Sequence, residues 1–586
     1  MKYKNYLTNL FRPVLDKNNR NDFICMDKNE PPFSAFEVID GLITDDDIKG
    51  LRIYPDPYEL YEKLSKFVNV NLNQLLITHG SEQAIEFVFR VFLAESDEVV
   101  YLNPSFAMFD VFSFIQKAKV KYVNFNNDIT LNLESILNAI TEKTKLFVLA
   151  NPNNPTGTAF DIVELEKIAL HTKETNTIFL LDEAYFHFYD IDSIRLIDKY
   201  DNLIITRTFS KALGIAGARV GYTISNKHNI TLLRKLKPID EINQLSNIIA
   251  KKVIEHADII LEKNISQVKK WKKYFSSNEI KDIRYIETEG NFILLKSTNY
   301  ELHKKVLLEN KILPKYDFKQ EYLADCIRFS ILDDNTMNRV FKILKYSFQY
   351  SGWDEKNTIK FYTNNRNTYN DLYDSEKHFL NKDFISQINS VLDVGSSVGG
   401  FSNIFKELNQ NISYAGIDVS KNAIDKANSI YGSNDIDFYH YDGVQIPLNQ
   451  KFDLVFCSGV MHLIDNYEDI FAQILANAEK YLLLDFRVTS TQSYQGKFYF
   501  DFEGKTNQNY TKYYVLNFNE LIDFFKSFKN ICEVIIYGYK GLASQMSEGI
   551  DEVYFLFFKI KLSEENSFKI IFDNDELSNT FQLKGE

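Results

Sequence analysis

The feature that most limits what this chain can fold into is an alternation, met twice, of short apolar runs with amphipathic helical stretches. In the first series QAIEFVFRVFLAE (83–95) and VELEKIALHTKE (163–174) have the apolar spacing of helices. EVVYLN (98–103), KLFVLANP (145–152), TIFLLDEAY (177–185) and LIITRTFS (203–210) read as buried strands. Strands separated by helices predict a largely parallel sheet covered on both faces. The pattern fades into polar and aromatic residues at 351–374, then resumes. SVLDVG (390–395), SYAGIDVS (413–420), IDFYHYDG (436–443), FDLVFCSGV (452–460) and LLLDFRV (482–488) are the new strands, with GGFSNIFKELN (399–409) and KNAIDKANSIYG (421–432) as helices. ICEVIIYGY (531–539) and EVYFLFFKIKL (552–562) read as a closing strand pair. A chain of 586 residues is too long for one core. The expected organisation is one α/β domain over 1–350, a linker over 351–374 and a second α/β domain over 375–586.

Charge and cysteine content narrow the function classes. A net charge of −13 argues against a general nucleic-acid binder. Cys25, Cys326, Cys457 and Cys532 are scattered without paired spacing, so free thiols in a reducing compartment are expected and no metal site is. No apolar run reaches the roughly 20 residues that span a bilayer. The opening stretch, residues 1–22, has basic residues but no sustained apolar segment, so a cytoplasmic location is expected.

The first half contains a lysine that a structural helix would not need. TRTFSKALGIAGARVGY (206–222) sets Lys211 among small and hydroxylated residues, with Arg219 eight positions on. NPNNPTG (151–157) and LLDEAY (180–185) each end a strand, and α/β enzymes gather ligands at the carboxyl edge of a parallel sheet. NPNNPTG, DEAY and SKALGIAGAR in this order and spacing resemble the fold-type I pyridoxal-phosphate aminotransferases, most closely the histidinol-phosphate aminotransferase family, over about residues 20–348. The resemblance implies a mostly parallel large domain over about 45–245 and a small α+β domain built from the N-terminal arm and 246–350.

It also implies roles. Lys211 would form the Schiff base with pyridoxal 5'-phosphate and shuttle the substrate proton. Asp182 would hold the pyridine nitrogen protonated, and Asn154 and Tyr185 would bond the ring 3-oxygen. Arg219, Thr208 and Ser210 would grip the phosphate. Ser81 and Glu82 open a helix whose N–H groups favour an anion, although Ser81 is equally compatible with a plain N-cap. Phe106 takes the place of the aromatic that stacks on the ring. Tyr54 of YPDP would reach the phosphate of a neighbouring subunit, which implies a homodimer. Arg328 and Lys315 would meet acidic groups of the substrate, Lys315 standing where the family usually has arginine. An exposed Lys315 with no ligand role is the alternative. A decarboxylase of phosphorylated amino acids shares the same cofactor residues and is the rival activity.

VLDVGSSVGGFSNIF (391–405) followed by YAGIDVS (414–420) resembles the class I S-adenosylmethionine-dependent methyltransferases, over about residues 385–560. A Rossmann-like seven-stranded domain follows from that resemblance. Asp393, Gly395 and Gly399 match its first signature, with Ser397 at the usual middle glycine. Asp418 would hold the ribose hydroxyls and Asp442 would lie near the adenine amino group. His462 is readable as a general base or as a packing residue. A nicotinamide dinucleotide site lacks its GxGxxG spacing here. The expectation is a bifunctional enzyme that transfers an amino group and methylates a small-molecule acceptor. A second half that binds S-adenosylmethionine without catalysis, or only docks, is the rival from another class.

Overall fold

The computed structural model describes residues 20–499, 510–541, 553–564 and 567–581, together with 8, 10, 547 and 548. Most of the opening stretch therefore lies outside the described residues. The chain folds as two compact units, Met1–Phe341 and Lys342–Glu586.

The first unit is built on seven strands: β1 (Leu75–Thr78), β2 (Glu98–Asn103), β3 (Lys119–Asn124), β4 (Thr144–Ala150), β5 (Ile178–Asp182), β6 (Leu203–Thr208) and β7 (Gly221–Ser225). Their order is β1-β7-β6-β5-β4-β2-β3, and only β7 runs antiparallel to its neighbours. The strands are apolar at successive positions because both faces are covered. Phe147, Leu149, Phe179, Leu181, Leu203 and Ile205 enter the core on one side. Leu146, Val148, Leu180 and Ile204 enter the core on the other. A smaller antiparallel sheet joins β8 (Ile283–Ile286), β9 (Phe292–Ser297) and β10 (Cys326–Ser330), with β9 central. The short strand Ile24–Cys25 pairs in parallel with Ile312–Leu313, which fixes the segment that follows it, Met26–Glu30.

The second unit has β11 (Ser390–Val394), β12 (Ser413–Asp418), β13 (Ile436–His440), β14 (Phe452–Cys457), β15 (Ala478–Thr489), the hairpin β16 (Tyr494–Tyr499) and β17 (Tyr510–Asn517), then β18 (Ile531–Gly541), β19 (Val553–Leu562) and β20 (Lys569–Phe572). The main order is β13-β12-β11-β14-β15-β19-β18-β20. The closing pair inserts β19 antiparallel between β15 and β18, which gives the expected seven strands. β20 adds an eighth strand alongside β18, and the β16–β17 hairpin extends the end of β15. Alternation again fills two cores, Leu392, Val455 and Leu482 on one face against Val391, Leu454 and Leu483 on the other.

Residues 351–374, read from sequence as a linker, hold a nine-residue helix, Lys356–Asn364, flanked by 3-10 turns at Gly352–Asp354 and Tyr369–Asp371. Trp353 and Tyr362 line a cavity of the second unit, and Trp353 also stacks on Phe498 of β16, ring centres 6.2 Å apart. A long apolar stripe is therefore missing from the sequence there.

Candidate active sites

In the first unit the strand ends bring most of the named residues to one edge. Asp182 ends β5, Thr208 ends β6, and Asn154 lies in the turn after β4. Lys211 follows β6 and sends its amine 5.8 Å from the Tyr185 ring centre. The amine donates to the carbonyls of Lys28 and Asn29, each at 2.8 Å. Burial lowers its pKa to about 8, Glu30 and Asp182 opposing the shift and Arg328 and Arg219 adding to it. Asp182 is buried and accepts from the Thr206 hydroxyl at 2.8 Å. Burial raises its pKa to about 7. Tyr185 is buried, edge-on to Phe292, and accepts from the Asn29 carboxamide at 2.8 Å. Burial pushes its phenol up.

Arg328 reaches the same place from β10. It donates to the Asn154 side-chain oxygen and, at 2.7 Å, to the carbonyl of Asp27. Its Nε is buried without a hydrogen-bond partner. Lys315 pairs with Arg328 through the backbone, N to O at 2.8 and 2.9 Å, but its side chain is exposed.

The phosphate-type residues form a second cluster at the start of helix α1 (Gly80–Phe92). No side chain caps this helix, and His79 stands at the N-cap, so Ser81 is in the first turn and not the cap. A Cβ on Gly80 would stand 2.8 Å from Arg219 Nη2, and one on Gly221 would stand 2.4 Å from the Ser81 nitrogen. Two glycines thus let the guanidinium and the helix end share one cradle. Arg219 itself is in the left-handed region at φ 56° and sits 3.8 Å from the Glu82 carboxylate. Thr208 and Ser210 are buried there and bonded to each other at 2.9 Å. Phe106 packs edge-on to Phe109, in a loop tied to NPNNPTG by the Ser105–Asn153 bond of 2.7 Å. Tyr54 stands apart, 84% exposed.

The segment Asp27–Glu30 was not singled out from sequence. It contributes backbone carbonyls to Lys211 and Arg328 and a buried asparagine, at φ 55°, to Tyr185. Its one legible signal is the Asn-Glu-Pro-Pro turn that follows a short apolar pair.

In the second unit a cavity lies at the carboxyl edge of β11, β12 and β14. Gly395 and Ser397 line it from the turn after β11, and Asp418 from the end of β12. Gly395 has φ +86°, and a Cβ there would meet Val460 at 2.3 Å. Gly399, φ +85°, precedes helix α2 (Gly400–Leu408) and packs on Phe438. Ser397 adopts φ 47°, the conformation that makes glycine usual at this position. Asp418 accepts from the Ser397 and Ser420 nitrogens, both at 2.8 Å, and burial raises its pKa to about 6.

Three other named residues turn away from the cavity lining. Asp393 is buried against the Tyr414 hydroxyl, its pKa raised by burial to about 7. Asp442 accepts from the nitrogens of Val444 and Gln445 at 2.8 and 2.7 Å, so it shapes its own loop. His462 is buried with its ring 5.1 Å from Tyr513, and burial holds its pKa far below the usual histidine range. The lining is completed by Trp353, Tyr362, Asn365 and Arg366, from the stretch read as a linker.

The aminotransferase class I and II family matches residues 21–344, and a methyltransferase domain family matches residues 385–510. The histidinol-phosphate aminotransferase of Caldanaerobacter subterraneus subsp. tengcongensis is 34% identical over 328 residues, 55% of this chain and 92% of that protein. That of Methanocaldococcus jannaschii is 32% identical over 324 residues, 54% of this chain and 83% of the other. The fold is also that of the Sinorhizobium meliloti histidinol-phosphate aminotransferase, solved in complex with pyridoxal-5'-phosphate: TM-score 0.53 and 20% identity over 59% of this chain and 97% of that one. Matched by the first family over more than half its length, the chain belongs to the aminotransferase class I and II family, is an enzyme, and continues into a methyltransferase domain.

Proposed function

We propose that the chain is bifunctional, transferring an amino group in its first unit and methylating a small-molecule acceptor in its second. Pyridoxal 5'-phosphate fits the first site on the residues present. Asp182 is a buried carboxylate with one hydroxyl donor, suited to a cationic ring nitrogen, and the Gly80–Arg219 cradle is shaped for an anion. Bound there, the cofactor supplies an aldehyde for lysine and a ring that takes up the electron pair left when a substrate Cα loses its proton. Arg219, Thr208, Ser210 and the first turn of α1, with Ser81 and Glu82, would hold the phosphate. Asn154 and Tyr185 would hold the ring oxygen, and Phe106 would cover the ring face.

Lys211 does the proton work. Its two carbonyl partners fix the direction of Nζ, and its lowered pKa keeps a large share of the amine neutral near pH 8. Arg328 has an unpartnered Nε with which to take a substrate carboxylate, and the adjoining Lys315 suits a second anionic group. A small phosphorylated or carboxylated amine is the substrate class that fits both. The observation that carries this reading is the convergence of Lys211, Asp182, Tyr185 and Arg328 at one sheet edge.

S-adenosylmethionine fits the second site, where Gly395 lines the cavity at φ +86° and leaves no room for a Cβ beside Val460, so that backbone forms this part of the wall. Asp418 would hold its ribose hydroxyls; Asp393 would act only through the strand pair it joins to Tyr414, and Asp442 only through the loop it braces. A homodimer is supported by the run Ile53, Tyr54 and Tyr58, whose apolar surface is exposed among the described residues. A cytoplasmic location fits the four unpaired cysteines. Among the described residues no helix is long and apolar enough to cross a membrane.

The test is a half-reaction. Pyridoxal-loaded protein mixed with excess L-glutamate should lose its yellow absorbance and release stoichiometric 2-oxoglutarate. Carbon dioxide release from phosphorylated amino acids, with the yellow colour retained, would replace amino transfer by decarboxylation.

A further inference from the structure

Among the described residues that line the methyltransferase cavity, Arg366 is the only base and Asp418 the only acid. Arg366 sits beside the first turn of α2, a nine-residue helix that no side chain caps. Its guanidinium lies 5.2 Å from the Phe401 ring centre and 4.8 Å from that of Tyr373. Its backbone carbonyl would stand 2.6 Å from a Cβ on Gly400. The Nη2 group is paired with Glu376, while Nε is buried without a hydrogen-bond partner. Glu376 is fully buried and takes two further bonds of 2.9 Å, from the Ser458 hydroxyl and the Tyr373 nitrogen. The carboxylate is therefore spent on holding the arginine still.

We propose that Arg366 binds the carboxylate of the methyl donor's amino-acid end, with Glu376 as its positioning residue. The inference rests on the reading of this cavity as an S-adenosylmethionine site. Charge bookkeeping favours this end of the donor over a phosphate. An arginine already neutralised by a buried glutamate offers no net charge, which suits a zwitterion whose ammonium offsets its carboxylate. Helix α2 adds its positive end on the same side. Asp418, at the end of the neighbouring strand β12, is left for the ribose.

Calorimetry on the pyridoxal-loaded full chain tests this with two ligands, S-adenosylhomocysteine and 5'-methylthioadenosine, which lacks the amino-acid end. Arg366→Ala should weaken S-adenosylhomocysteine about 10- to 100-fold, the range for losing charge-assisted hydrogen bonds, and shift 5'-methylthioadenosine less than about twofold. Arg366→Lys should recover part of the loss. Because Arg366→Ala strands a buried glutamate, the double variant Arg366→Met/Glu376→Gln removes charge and partner together and should show the same ligand contrast. Equal weakening of both ligands, or no weakening of either, overturns the proposal while leaving the donor site standing. Failure of the unaltered chain to bind either ligand overturns the donor site and the proposal with it.

Discussion

The two sites spend their buried polar side chains in opposite ways. In the first unit Asp182, Tyr185, Lys211 and Arg328 gather at one sheet edge, and their leftover valence points to a ligand: Asp182 has one hydroxyl donor and Arg328 an unpartnered Nε. In the second, Asp393, Asp442 and His462 are absorbed by a tyrosine, a loop backbone and an aromatic face. There the cavity is lined by a backbone turn, by Asp418, by apolar side chains such as Val460 and Leu463, and by Trp353, Tyr362 and Arg366. The difference follows from the chemistry. A site that moves protons needs titratable groups in contact, whereas a site that only holds a donor for direct transfer needs shape and a few polar anchors.

The largest expected effect is on Lys211. Lys211→Ala should abolish the yellow absorbance and lower the half-reaction with glutamate by about 10²–10⁴-fold or more, the range for losing proton transfer. Stopped-flow absorbance checks it, and near-normal rates in the variant would break the contrast between the two sites. The same amine sets a pH dependence. Only its neutral form attacks an aldehyde, so the rate of cofactor capture should climb as pH passes through about 8 and level off above.

Two carboxylates sharpen the comparison, because burial raises both Asp182 and Asp393 to about 7. A raised carboxyl binds a proton in the fold that it has lost in the unfolded chain, so stability falls as pH rises from about 4 to about 7. Asparagine at either position should therefore stabilise the cofactor-free chain at pH 8, by roughly 1–3 kcal/mol. Function should separate them. Asp182→Asn should lower amino transfer by about 10²-fold or more, through lost support of charge at the ring nitrogen. Asp393→Asn should leave S-adenosylhomocysteine affinity within about threefold, since its carboxylate is taken up by the Tyr414 hydroxyl. Denaturation curves with and without each ligand read both terms.

A smaller contrast lies inside the second unit. Asp418→Ala removes an acid that lines the cavity and should weaken S-adenosylhomocysteine about tenfold or more. Asp442→Ala removes a loop cap and should cost about 1 kcal/mol of stability, with a lesser loss of affinity. Equal losses of affinity would return Asp442 to the ligand.

These cases also show what the sequence could disclose. The gathering of Lys211, Asp182, Tyr185 and Asn154 was legible because each ends or follows a strand, whereas Arg219 reaches its place from the turn before β7. Lys28 and Asn29 were not, since they offer Lys211 backbone carbonyls from 183 and 182 residues away, and any residue has a carbonyl. Gly395, Ser397 and Asp418 were legible as a turn followed by a strand end. The fate of Asp393 was hidden because only the strand's inward face, met by Tyr414 from β12, decides where its carboxyl goes. Residues Trp353–Arg366 escaped because their helix is nine residues long and turns its aromatic side to a cavity.

The smallest effect tests the turn itself. Ser397 is held at φ 47°, which costs a residue with a Cβ about 1 kcal/mol relative to glycine. Ser397→Gly relieves that strain but loosens the unfolded chain by about 0.4–1 kcal/mol. The two terms nearly cancel, so stability should change by less than about 0.5 kcal/mol, and the nitrogen that donates to Asp418 is retained. Affinity for S-adenosylhomocysteine should be unchanged within about twofold. Gly395→Ala, two residues earlier, has no such compensation: its Cβ would overlap Val460 and its backbone is at φ +86°. It should cost about 1–3 kcal/mol and narrow the cavity. If the serine variant moved stability as far as the alanine one, the turn would be held by the Ser397 side chain and not by its backbone.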